Sequence, residues 1–214
     1  MKQAPRWDRK LEAAILSAAH VVAQRWLLCL NAALATFIAL ALLAPLLMAS
    51  GHTRAAHTIY VAYRITCHQE PQRSYFLGGP RLLYTRTELL AQTTQSPLSA
   101  YLGSPDAGYK LAFCQRDLAT YAAMLLFGLL WPRLRALLPR LPLRAYALLL
   151  VPLAVDGLTQ AAGLRESTWL LRTLTGGLFG LATAWLLVPE LEVAMSGAAR
   201  SLAGRLASLR PPTG

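Results

Sequence analysis

Between Arg25 and Arg54 no residue carries a formal charge, and "WLLCLNAALATFIALALLAPLLMA" is almost wholly apolar. A hydrocarbon core about 30 Å thick takes about 20 such residues as a helix, because a helix satisfies its own backbone polar groups in lipid. A soluble fold would have to bury this segment on every side, and the rest of the chain is poorly equipped to cover it. Of 214 residues, 14% are charged and 55% hydrophobic, whereas soluble domains carry about 25% charged residues. Mean hydropathy is +0.39. The chain reads as an integral membrane protein of the cell (inner) membrane.

A first span is expected at 27–49. "LAFCQRDLATYAAMLLFGLLW" predicts a second near 112–131, "AYALLLVPLAVDGLTQAAGL" a third at 145–164, and "WLLRTLTGGLFGLATAWLLVP" a fourth at 169–189. The expectation is an all-α, four-helix transmembrane bundle occupying one domain, 1–190, followed by a tail, 191–214. Leu11, Ala14, Ile15 and Ala18 recur at helical spacing, so residues 5–22 read as an interfacial helix rather than a signal peptide. Four Arg lie in the thirteen residues "PRLRALLPRLPLR", and the two ends are also basic. The excess of Lys and Arg in short segments places both termini in the cytoplasm and the long 50–111 loop outside. The formal charge of +11 is accounted for by Arg at span ends and by anionic lipid, with no nucleic-acid partner implied.

Within the outer loop, "AAHTIYVAYRITCHQ" reads as an amphipathic helix, and "YTRTELLAQ" as a short one capped by Thr85 or Thr87. The topology carries Cys67, His68, Arg73, Cys114, Arg116, Asp117, Asp156 and Gln160 to the outer face from three separate segments. In that order, "CHQEPQRSYF", "CQRDLATY" and "DGLTQAAGLRESTWLLRTLTG" resemble the bacterial membrane proteins grouped as domain of unknown function family 2085, over roughly residues 60 to 190. The resemblance implies a small multi-spanning protein and no particular activity. It also implies that many relatives carry a second Cys where this chain has Asp117.

Cys67, His68, Cys114 and Asp117 are residue types that bind zinc or copper, and three or four of them close a tetrahedral site. His57 is spaced to join His68 if the helix before the motif continues that far. A Cys67–Cys114 disulfide is the alternative, because the outer compartment is oxidising. It would close a loop of 46 residues, which is worth on the order of 3–4 kcal/mol. The competing functions are metal handling or metal-assisted catalysis, a disulfide-stapled accessory subunit of a larger complex, and a membrane thiol oxidoreductase. Partners beyond the lipid bilayer would be such a complex or further copies of the chain. Asp156 lies about two turns inside the third span, where an isolated carboxylate costs several kcal/mol; it must hold a proton, a cation or a partner such as Arg73, Arg165 or Arg172. Asp156, Arg73, Arg116 and Gln160 are the candidate catalytic or organising groups. Gly176, Gly177 and Gly180 form a small-residue face suited to close helix packing. The chain has no Walker loop, no H-E-x-x-H, no G-x-S-x-G and no C-x-x-C-H.

Overall fold

The uncharged stretch forms one helix, α2 (Trp26–Ala49), entered from α1 (Arg6–Gln24) and left through a tight turn at Gly51. The computed structural model describes residues 6–209, so residue 5, the first five residues of the expected domain and the last five of the expected tail lie outside the described residues. After α2 come α3 (Thr53–Tyr63), strand β1 (Ser74–Leu77), α4 (Arg86–Gln92), β2 (Gly103–Ser104), β3 (Gly108–Cys114), α5 (Gln115–Leu134), α6 (Leu143–Ala161) and α7 (Trp169–Leu209).

The chain is mostly helical but not all-α. The 50–111 segment holds helices in the two stretches where short ones were expected within the loop, and also most of an unexpected three-stranded antiparallel sheet in the order β1-β3-β2. Residues 112–114, expected as the start of the second span, are the end of β3. Their apolar run, "AFC", packs into the core beside α2 and α3 instead of facing lipid. The fourth helix does not stop at Pro189 but continues to Leu209, taking in most of the expected tail, and α1 packs along it.

Among the described residues, two helices are long and apolar enough to cross a membrane, α2 and α7; the four expected spans are therefore two by this measure. Helix α5 falls short because Arg116, Asp117 and Arg133 lie within it, and α6 because Arg144, Asp156 and Gln160 do.

Helices α5 and α7 pack closely through two glycines of α7. A Cβ on Gly176 would fall against the Arg116 carbonyl oxygen, and one on Gly180 against that of Thr120, whereas one on Gly177 would meet nothing within 4 Å. The Thr120 hydroxyl donates across the seam to the Gly176 carbonyl at 3.0 Å. Above this seam an aromatic cluster of Phe37, Tyr63, Phe113 and Tyr121 joins α2, α3, β3 and α5, with ring centroids 4.8 to 5.2 Å apart. Aromatic pairs at this spacing contribute beyond their buried area.

Candidate functional site

The antiparallel register pairs Ser74 on β1 with Cys114 on β3. That pairing brings the two cysteine motifs together across 47 residues of chain. Strand β3 runs straight into α5, so Cys114 becomes the N-cap of that helix, and its sulfur accepts the Asp117 N–H at 3.4 Å. The Asp117 carboxylate turns back to the same sulfur at 3.2 Å.

Cys67 is buried opposite. Its sulfur accepts two backbone N–H groups, from Gln69 at 3.4 Å and from Cys114 at 3.3 Å. The first is possible because Gln69 takes a left-handed backbone conformation, φ 54°, which non-glycine residues rarely adopt. Three bonds hold Gln69 there: its N–H to Cys67, its Nε2 to the Tyr60 carbonyl at 2.7 Å, and its carbonyl accepting from Lys110 Nζ at 2.5 Å. Lys110 is fully buried, 0% exposed, and also donates to the Ser99 carbonyl at 3.0 Å. Burial pushes its amine down to about 8, against the pull of the neighbouring Cys67 and Glu70 charges.

One metal-ligating atom from each of Cys67, Cys114 and Asp117 lies within 4.8 Å of the other two. Tetrahedral zinc–thiolate bonds of ~2.3 Å would place sulfurs roughly 3.8 Å apart, so the three donor atoms lie near the spacing that an ion requires. Both thiols are free, so the expected alternative of a disulfide is not the state described. Cys114 is the more acidic of the pair: its hydrogen bond with Cys67 and the Asp117 amide favour its thiolate over the opposing effect of burial. Cys67 is pushed up by that same hydrogen bond and by burial. His68 is exposed and stands outside the three-ligand group, and α3 ends at Tyr63, so His57 is not carried round to it.

The Cys/Cys/Asp group opens into a cavity of about 180 Å³, whose far wall is formed by Arg73, Arg116, Arg172 and Gln160. Arg116 pairs with Asp156, and Arg165 approaches the other carboxylate oxygen at 2.8 Å. The Ser167 hydroxyl donates to the same group at 3.0 Å. Asp156 is 1% exposed, and these three donors make it the counter-charge of α6 to the starts of α5 and α7. Of the neutralising partners expected for it, Arg165 is present; Arg73 and Arg172 instead turn to Gln160. Oriented with its oxygen toward them, the Gln160 amide accepts from Arg73 Nε at 3.0 Å, Arg73 Nη2 at 2.9 Å and Arg172 Nη2 at 3.2 Å.

Lys110, Gln115 and Ser167 escaped the sequence reading. Lys110 lies in an unrecognised strand, and Gln115, whose Oε1 accepts from Arg172 at 3.3 Å, looks like an ordinary surface amide beside Arg116.

A family model described as "Predicted membrane protein (DUF2085)" matches residues 106–186, which include Cys114, Asp117, Asp156, Gln160 and Arg172 but not Cys67. The chain is similar to an uncharacterized protein of Methanocaldococcus jannaschii, 30% identical over 133 residues, or 61% of this chain and 67% of that one. No solved structure matches the chain.

Proposed function

The chain belongs to the DUF2085 family of predicted membrane proteins, and from that footing we propose that it is a multi-spanning protein carrying a three-ligand transition-metal site on its extracytoplasmic face. Cys67, Cys114 and Asp117 are the ligands, and zinc or copper the fitting ions, since thiolate donors select soft and borderline metals. The observation that carries this reading is the convergence of these three donor atoms within 4.8 Å. Two backbone N–H groups aimed at the Cys67 sulfur support it, because they offset part of the burial that otherwise keeps this thiol protonated.

Three protein ligands leave a fourth position for water or a small molecule, as in catalytic and transfer sites rather than closed structural ones. Helices α5 and α6 complete the membrane part beside α2 and α7. Leu126, Leu129 and Leu130 on α5, and Leu148, Val151, Val155 and Leu158 on α6, are exposed as lipid-facing side chains would be. Their charged groups gather at the helix ends. The Lys and Arg bias of the short segments supports cytoplasmic termini.

Elemental analysis of protein purified without chelator tests the site. About one zinc or copper per chain is expected, falling at least tenfold in Cys67→Ser and in Cys114→Ser. Metal-free wild-type protein that takes up no zinc or copper on titration, or a Cys67–Cys114 crosslink in non-reducing mass spectrometry of native membranes, would overturn the reading.

A further inference from the structure

Arg73 and Arg172 have no carboxylate within 4.0 Å among the described residues; all five ion pairs found there use other cations. Their side-chain acceptors are neutral amides: both reach the Gln160 oxygen, and Arg172 also donates to Gln115 Oε1 at 3.3 Å. Arg172 is 5% exposed, and its Nε is buried without a hydrogen-bond partner, as is that of Arg116. A buried guanidinium left short of an acceptor is costly. Two of them beside a third arginine raise that cost through like-charge repulsion.

Carboxylates stand nearby, but among the described residues none forms an ion pair with Arg73 or Arg172. Asp156 is taken up by Arg116, Arg165 and Ser167. The Glu70 and Asp117 carboxylates line the same cavity but pair with neither arginine: Glu70 accepts from Gln72 at 2.9 Å, and Asp117 faces Cys114. Helices α5 and α7 both begin at this end of the molecule, with Arg116 and Arg172 in their first turns. The positive ends of their backbone dipoles therefore add to the guanidinium groups.

We infer that the cavity beside Arg73, Arg116 and Arg172 is a binding site for an oxyanion of the phosphate class. Arg73 and Arg172 grip its oxygens, and Gln160 gives up its place as their shared acceptor. The planar fork of arginine suits a phosphate oxygen pair better than a point charge would. The cavity, about 180 Å³, is several times the ~30 Å³ share of one water molecule, so it takes a small oxyanion or the phosphate of a lipid headgroup entering from the membrane rim. The inference does not depend on a metal at Cys67, Cys114 and Asp117.

The test uses full-length, chelator-treated protein in nanodiscs of neutral phosphatidylcholine, titrated calorimetrically with inorganic phosphate, and a parallel set containing phosphatidic acid. Saturable phosphate binding in the neutral discs is expected, weakened at least tenfold by Arg73→Gln and by Arg172→Gln and unchanged by Arg81→Gln, which alters an exposed pair with Glu88. If a raised melting temperature appears only with phosphatidic acid and is lost in Arg73→Gln, the occupant is a lipid phosphate and the inference stands. No saturable binding and no stabilisation of the wild-type protein in either set would overturn it, as would binding unchanged in both cavity variants. Arg73→Lys, which keeps the charge and loses the fork, gives an intermediate affinity if Arg73→Gln fails to fold. The chelator treatment keeps this outcome separate from that of the metal titration.

Discussion

Lys110 is a fully buried cation in a strand. Its amine, lowered to about 8 from 10.5 by burial, binds fewer protons in the folded protein than in the unfolded chain between those two values. Stability should therefore rise with pH through that window, and the penalty is fully present below about pH 8. The shift corresponds to on the order of 3 kcal/mol. Lys110→Met should abolish the component of the rise that belongs to this group, read as the difference between wild-type and variant melting temperatures from about pH 7 to pH 11. A parallel pH profile in both proteins would show that the lysine is not the source. The same substitution removes the donor that steadies the Gln69 carbonyl, so it should also loosen the turn that aims an amide at Cys67. Neither role can be read from the sequence, where Lys110 is one cation in a polar stretch; its burial follows from a strand that no alternation announces.

Between elements, the α5–α7 seam separates glycines that look alike in sequence. Gly180→Ala sets a methyl against the Thr120 carbonyl, an overpacking that costs about 1–3 kcal/mol and should lower the melting temperature in detergent. Gly177→Ala meets open space and should be neutral or stabilising by up to about 1 kcal/mol, the helix preference of alanine over glycine. Equal losses in both variants would contradict the packing described. The small-residue spacing in "LTGGLFG" foretold such a seam, and Thr85 caps α4 with the reciprocal Glu88 bond expected of a capping box. The sheet was not foretold. "LAFC" is a short apolar run joined to a largely apolar helix, and periodicity cannot divide the two. Where β3 ends and α5 starts is set by the pairing with β1 and by the sulfur cap at Cys114, both of which are tertiary.

Across the chain, the sequence marked out the helical segments and named Cys67, Cys114 and Asp117 together. It named His68 with them, and His68 lines the same cavity while standing outside the three-atom group; how far adjacent side chains diverge depends on the turn at Gln69. It also overcounted the segments that meet the membrane criterion, because charges at the ends of α5 and α6 dilute runs that look apolar by eye. The proposed topology is checked by labelling with a membrane-impermeant maleimide in a cysteine-free background: Ser104→Cys and Ser208→Cys should react from opposite sides of the membrane. Reaction of both from one side would overturn it.

Helix α7 has a mechanical consequence. Forty-one residues at ~1.5 Å each make a rod about 62 Å long, roughly twice the hydrocarbon thickness. Pro189 sits at its midpoint, where the ring removes the bond to the Trp185 carbonyl and makes bending cheapest. Arg172 stands near one tip, and α1 lies along the other half. Pro189 thus divides the rod into two arms that pack against different partners, and a change of angle between them would be taken up at the proline while each arm keeps its own hydrogen bonds.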